Sequence, residues 1–445
     1  MRAARMLVRV TLVAVFVCRL MASPAAVRVD TTTTNHVGVR LIKELTFDSE
    51  IQILRLKDGL PRLVVTEKTI NWLGRDGNVE TQIVNPSIGQ NEVVPSDPVT
   101  GMTRGTRVFA SRNGEWVGVA EYEIHRGVSV RATLRTLSSS GLEVSRYSIE
   151  PLASVVVGDN GFLVGVYGSP AFYPEPCGGG DAVLYGAGGR ELIRVAGGVH
   201  VAVDRGCGAA LVAIPRENAV TLHCFDREGS ELWATELDGE TTWPKWREPC
   251  AFSSDGERII VVTQSASPEY GVTEREGLSF HLHLLSSSGK VIASHSEPGD
   301  VLWAFEATPN LVQGAAGGMR DIIMVDLPRG AEIGRWAPGD DSSPPFLWSE
   351  SGRFLLCPTR DWRIPLARKV PDQTVVLERM HLDLKVPDQV VLLDRQGRAV
   401  WHTLLPNGAT VASLERLPDG DMADDVFVAP DRDRLLVLGV IGGER

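Results

Sequence analysis

His281 and His283 stand two residues apart in F-H-L-H-L-L, within a stretch that alternates like a β-strand. That spacing puts both imidazoles on one face, where a metal could use them. No third ligand follows at a matching interval, and a pair of half-buried strand histidines is the competing account. Acidic loops offer a second chemistry. P-D-G-D-M-A-D-D gathers Asp419, Asp421, Asp424 and Asp425 around Gly420. Carboxylate oxygens on a bendable loop are what calcium takes, but the spacing completes no EF-hand loop and lacks its closing Glu. P-G-D-D-S-S-P-P (338–345) is a second acidic loop, and a solvated turn is the simpler account of both. The third chemistry is aromatic. W-P-K-W-R-E-P-C (243–250) brings Trp243 and Trp246 beside Arg247, and D-W-R-I-P (361–365) repeats the pair as Trp362 and Arg363. Two indoles with a cation suit stacking on a sugar or gripping a peptide. If both stretches open on one face they line a single rim; otherwise the tryptophans pack between neighbouring sheets. No motif asks for a cofactor. The Gly-rich runs at 178–180 and 314–318 match neither phosphate-binding pattern, and no G-x-S-x-G occurs.

The elements that must carry these residues recur along the chain. H-C-F-D-R-E-G-S-E-L-W-A-T-E-L (223–237) reads as strand, tight turn, strand. L-L-D-R-Q-G-R-A-V-W-H-T-L-L (392–405) matches it, with Asp three before the Gly, Trp four after and Leu eight after. Seven such units turn at Gly77, Gly141, Gly189, Gly229, Gly289, Gly330 and Gly397. Their spacings are 64, 48, 40, 60, 41 and 67 residues. The short ones match a four-stranded propeller blade of about 40–45 residues, and the long ones leave room for insertions. A second hairpin alternates with the first, at 110–120, 157–166, 203–212, 252–262, 348–356 and 428–438, with a weaker copy at 306–312. Asn-Gly or Asp-Gly ahead of an apolar run is a strong hairpin signal. The expectation is an all-β, seven-bladed propeller over 37–445, closed by pairing the C-terminal hairpin with residues 68–83. If residues 37–66 instead give the Gly77 unit its own hairpin, L-R-L-K-D-G-L-P-R-L-V-V, the count becomes eight.

These hairpins resemble bacterial β-propeller repeats. S-S-D-G-E-R-I-I-V-V resembles the inner hairpin of WD40-like blades, and D-x-x-G-x-x-x-W-x-x-x-L at 226–237 and 394–405 resembles the outer pair of quinoprotein-type (PQQ-like) repeats. The resemblance implies that Trp233 and Trp401 dock between blades, with Trp336 displaced by two positions. It covers nearly all of 50–440 and stops at architecture. The Gly-His and Trp-Asp signatures of true WD40 repeats are absent, and so is the adjacent cysteine pair of quinoprotein dehydrogenases.

The totals bound the setting. Net charge is −11, and the four Arg of residues 1–25 face no acid, so their removal leaves about −15. A chain this acidic is no partner for nucleic acid, which needs a basic face. Arg2, Arg5 and Arg9 precede an apolar run from Leu12 to Cys18, and Ser23 and Ala25 suit a cleavage site. Residues 1–25 therefore read as a secretory signal and 26–36 as a polar linker. The run is too short to span a bilayer, and no later stretch is long and apolar enough. Five cysteines follow, an odd number without a C-x-x-C; small buried hydrophobes are the expected role. K-V-P-D-Q occurs at 369–373 and again at 385–389, implying an extra hairpin that projects as an interaction arm.

These readings lead to an exported, non-catalytic propeller scaffold that meets a protein or glycan partner through loops at one face. A propeller hydrolase or lyase acting on polysaccharide is the enzymatic alternative, and a quinone-dependent oxidoreductase a more distant one. Fold alone does not choose among them.

Overall fold

The computed structural model describes residues 38–441 except 58–59, 86–101, 126–127, 150–153, 162–163, 168–180, 187–188, 199, 205, 207, 217–218, 239–249, 266–278, 299–301, 303, 318–320, 337–346, 350, 359–364, 370–374, 380–388, 405–424 and 432. Apart from the 3₁₀ turn Leu327–Arg329, the regular elements among the described residues are strands. They form eight antiparallel blades, the alternative count. Blade 2 is Ile51–Lys57, Leu60–Thr66, Thr69–Leu73 and Val79–Val84. Blades 3 to 8 repeat that meander over 102–149, 154–195, 200–238, 250–298, 304–336 and 347–404. Blade 1 joins the chain's two ends: Gly38–Thr46 pairs with Arg434–Ile441, which pairs with Asp425–Asp431.

The closing contact differs from the expected pairing with 68–83. The Gly77 unit already has its own inner hairpin, 51–66, so its sheet is full. The C-terminal hairpin takes the upstream strand instead, with Val39 opposite Val440 and Leu45 opposite Leu435. Alternation in V-R-L-I-K-E-L-T-F gives that strand an apolar face, and Val39 and Leu41 are buried.

Eight apolar clusters among the described residues each join two consecutive blades. Leu63, Val65 and Trp72 of blade 2 meet Val117 and Val119 of blade 3. The series continues to Leu356 and Leu392 of blade 8 against Phe427 and Leu438 of blade 1. Val428 and Leu435 of blade 1 against Val64 and Leu73 of blade 2 complete the ring. The core is thus a circle of interfaces, and the sheets bury both faces of their middle strands.

Turn chemistry explains why the repeat is readable. In the outer hairpins Asp226 Oδ1 accepts the N–H groups of Glu228 and Ser230, and Asp394 Oδ1 those of Gln396 and Arg398. The inner hairpins use a hydroxyl: Ser111, Ser253 and Ser349 each accept from the N–H five residues on. Both are local side-chain caps that fix a tight turn. In the weak copy at 306–312 Leu311 occupies the glycine position with φ 51° and is buried.

Blades dock through these turns. Trp233 Nε1 donates to the Ser287 carbonyl at 2.7 Å, and the indole lies under Gly289, φ 79°. Trp401 sits against Gly38 in the equivalent place on blade 8, and Trp336 packs between blades 7 and 8. Gly334 of blade 7 is approached by blade 8 so closely that a Cβ would overlap the Gln396 carbonyl. Gly334→Ala should therefore destabilise by about 3 kcal/mol or more, the upper range for overpacking, because the obstacle is backbone. Gly208→Ala, where a Cβ meets nothing nearer than 3.6 Å, should change stability by less than about 1 kcal/mol. Thermal melts of the two variants check the contrast, and equal losses would contradict this docking geometry.

Candidate functional site

The antiparallel meander sorts the connections by face. In blades 2 to 8 the first-to-second and third-to-fourth turns lie at one end, and those in the described residues are tight. The second-to-third connections and the crossings to the next blade lie at the other end. The long ones, 85–101, 168–181, 239–249, 266–278, 337–346, 359–388 and 405–424, begin there. One face is hence a floor of capped turns, and the other carries the insertions.

The tight-turn face is tied across the ring. Arg112, in a turn of blade 3, donates to the Phe252 carbonyl of blade 6 at 2.6 Å. Asn113 bonds Asp159 of blade 4 through its backbone N–H at 2.8 Å and its side-chain amide at 3.0 Å. Glu115 accepts from Lys57 and Arg62 of blade 2. Burial works to raise its carboxyl, yet those two cations outweigh burial and hold it at about 2.

Near the loop-bearing face, blades 5 and 6 enclose a polar cluster. His281 and His283 point from the third strand of blade 6 toward blade 5, with ring centroids 6.0 Å apart. All four ring nitrogens face hydroxyls. His281 Nδ1 lies 2.7 Å from Ser296 Oγ and Nε2 3.1 Å from Ser279 Oγ. His283 Nδ1 lies 3.0 Å from Ser294 Oγ and Nε2 3.3 Å from Thr263 Oγ1. Thr263 also donates to the carbonyl of Asp238, the residue that precedes the 239–249 connection. Burial pushes both imidazoles down, His283 to about 4, where His281 adds to the shift. Two neutral, hydroxyl-bonded rings are a satisfied polar seam. Among the described residues no carboxylate is hydrogen-bonded to either ring, as an activated nucleophile–base pair requires.

The other candidates divide. Trp243, Trp246, Arg247, Trp362 and Arg363 lie outside the described residues, but their connections leave from the same face: 239–249 follows Asp238, and 359–364 follows the second strand of blade 8. Asp419, Asp421 and Asp424 also lie outside the described residues. Asp425 is buried and accepts from the Ser351 N–H at 3.2 Å and from its hydroxyl, tying blade 1 to blade 8. The 338–345 loop, residues 1–36, Cys177 and Cys207 fall outside as well. Cys224 and Cys357 are free and buried, and Cys250 is buried. Burial raises the thiols of Cys224, to about 12, and of Cys357. No group of three His, Cys, Asp or Glu able to hold a metal occurs among the described residues. None of their helices is long and apolar enough to cross a membrane. Two strands paired with each other and with no blade, Pro365–Lys369 and Val375–Arg379, stand on either side of the first K-V-P-D-Q copy, and the second copy, 385–389, follows them.

One signal went unread in the sequence. Glu143–Arg146, Glu191–Arg194 and Glu332–Arg335 recur as G-x-E-x-x-R or its variant on outer strands, each an ion pair. Arg335 also reaches Glu297 of blade 6 and Asp321, so this pair locks neighbouring blades at the rim.

The class of molecule defined by this geometry is an eight-bladed β-propeller. No protein-family model matches the chain, and no curated protein does. Among solved structures it is similar to the C-terminal WD40 domain of Sif2, with 10% identity, TM-score 0.48, and coverage of 91% of this chain and 99% of that one. It is also similar to a eukaryotic initiation factor, with 12% identity, TM-score 0.43, and coverage of 82% and 90%. The fold assignment rests on the chain's own strand pairing.

The buried histidines set a pH dependence. An unfolded His titrates near 6.5, whereas folded His283 does so at about 4. As pH falls through that window the unfolded chain takes up a proton that the folded chain refuses. Stability is then lost at up to about 1.4 kcal/mol per pH unit for this one ring. His283→Gln should have a flatter stability profile between pH 6.5 and 4 by urea titration; a profile parallel to the parent's would contradict the assignment.

Proposed function

We propose that the protein is an exported, non-catalytic propeller scaffold that holds a protein partner against its loop-bearing face. The observation that carries this reading is the asymmetry of the connections. The capped turns and the Arg112 bridge commit one face to structure. The insertions that can vary without disturbing the ring all begin at the other. Trp243, Trp246 and Arg247 would supply the anchors there, joined by Trp362 and Arg363, since buried Trp and Arg dominate protein interfaces. Strands Pro365–Lys369 and Val375–Arg379, paired with each other and with no blade, belong to a connection that leaves from that face, and a lone two-stranded hairpin is marginal in water, which suits an arm that gains order on binding. The acidic charge favours a protein over nucleic acid as partner. Export follows from the charged, apolar and small-residue series in 1–25, and the mature chain would begin near Ala26.

The test is quantitative affinity capture from an envelope extract of the native host, with the mature chain immobilised. A specific partner should be lost from Trp243→Ala/Trp246→Ala, with an affinity drop of about 30-fold or more, the scale of a 2 kcal/mol hot spot. Glu257→Ala, on the tight-turn face, should retain it. Binding that survives the tryptophan changes and fails with Glu257→Ala would reverse the assignment of faces.

A further inference from the structure

Strand Val375–Arg379 repeats the sequence of a blade strand. K-V-P-D-Q-T-V-V-L-E-R (369–379) and K-V-P-D-Q-V-V-L-L-D-R (385–395) agree at eight of eleven positions, so the duplication runs well past K-V-P-D-Q. The second copy contains Gln389–Asp394, the third strand of blade 8. The differences are Thr374 for Val390, Val376 for Leu392 and Glu378 for Asp394, and they leave the run rich in strand formers. The pairing is duplicated as well. In blade 8 Leu393 lies opposite Leu355, and Leu392 opposite Leu356. At the corresponding positions Leu377 lies opposite Ala367, and Val376 opposite Arg368. Pro365–Lys369 with Val375–Arg379 is thus the middle pair of a blade, built a second time.

A strand in that position has two edges to fill. The one in blade 8 pairs with Phe354–Pro358 on one side and with Ala399–Leu404 on the other. Its copy pairs with Pro365–Lys369, and its second edge meets no strand among the described residues. Backbone phase identifies the donors on that edge. Asp394 N–H donates to the Arg398 carbonyl, toward the fourth strand, and alternation sends the Leu392 N–H the same way. The shared register puts the N–H groups of Val376 and Glu378 on the open edge of the copy. An unpaired edge is a template for a further strand, and Val375, Val376 and Leu377 interpose neither the charge nor the Pro that blunts one.

We propose that the open edge of Val375–Arg379 takes an extended segment of the partner protein as a third, antiparallel strand. This rests on the reading of the chain as a scaffold for a protein partner, and it names how that partner is held. Blade 8 shows the chemistry of the occupant. There the strand beside the original copy is A-V-W-H-T-L, with Trp401 opposite Leu392 and Thr403 opposite Val390. The segment that fits is an extended run without Pro that carries an aromatic residue opposite Val376. Main-chain bonds supply the affinity, and the aromatic against the β-branched Val376 supplies the preference.

The fourth strand of blade 8 is the probe. A fluorescent peptide of residues 398–405, R-A-V-W-H-T-L-L, should bind the full chain saturably by anisotropy. Val376→Pro removes one edge donor where an edge strand tolerates Pro, so peptide affinity should fall by about 10-fold or more. The melt of the ring should not change, because this strand belongs to no blade. Hydrogen exchange of the unaltered chain gives a reading that needs no variant: amides of 375–379 should slow by about 10-fold or more at saturating peptide. Absence of saturable binding overturns the proposal, and so does unchanged exchange at saturation. Binding untouched by Val376→Pro overturns it too, since the peptide would then sit elsewhere. A chain that is dimeric and turns monomeric with Val376→Pro would give the edge to a second copy and overturn it as well. Partner loss from Trp243→Ala/Trp246→Ala reports on the docking face and not on this edge, so the two readings fail separately.

Discussion

Everything in this molecule depends on one antiparallel contact, Gly38–Thr46 against Arg434–Ile441. A row of blades held by seven interfaces would leave two sheets with one apolar face each in water. Pairing the first strand with the C-terminal hairpin creates the eighth interface and removes both exposed faces. It also explains why blade 8 and blade 2 can be built like the rest: Leu356 and Leu392 on one side, and Val64 and Leu73 on the other, find Phe427, Leu438, Val428 and Leu435 waiting in blade 1. Side-chain caps fix each hairpin locally, but only closure makes the interfaces cooperative.

Closure also sets the functional polarity. Blades 2 to 8 each enter and leave at the same end, so the long connections between them begin on one face. The opposite face is spent on ties between neighbours and across the ring, from Lys57 and Arg62 on Glu115 to Arg112 on the Phe252 carbonyl. The His281–His283 seam belongs to the same economy. Hydroxyls face all four of its ring nitrogens, and burial of the two imidazoles makes the seam sensitive to acid.

The fold was legible because its turns are chemical. Asp226 and Asp394 cap outer hairpins, Ser111, Ser253 and Ser349 cap inner ones, and each leaves a fixed interval to a glycine. Where a turn departs from the rule the reading weakened: Leu311 takes the glycine's place and keeps it by burying its side chain. The blade count needed more than turns. Whether residues 37–66 were surplus or a strand plus a hairpin is a question of pairing partners, and alternation in V-R-L-I-K-E-L-T-F says only that a partner exists. Trp233 and Trp401 were readable as docking residues from spacing, whereas Trp116, which packs against Gly161 of the next blade, lies outside that motif and was not. The candidate rim residues were chosen for composition, and topology alone joins their two connections to one face.

The most direct test of closure is thermal unfolding of the chain shortened to begin at Phe47, beside the chain beginning at Val37. The shortened chain loses the burial of Val39 and Leu41, about 2 kcal/mol each, and exposes the flank of blade 8 as well. It should melt well below the longer one, over a broader transition, or fail to fold. Superimposable, equally sharp melts would mean that the ring is closed elsewhere and would contradict the account.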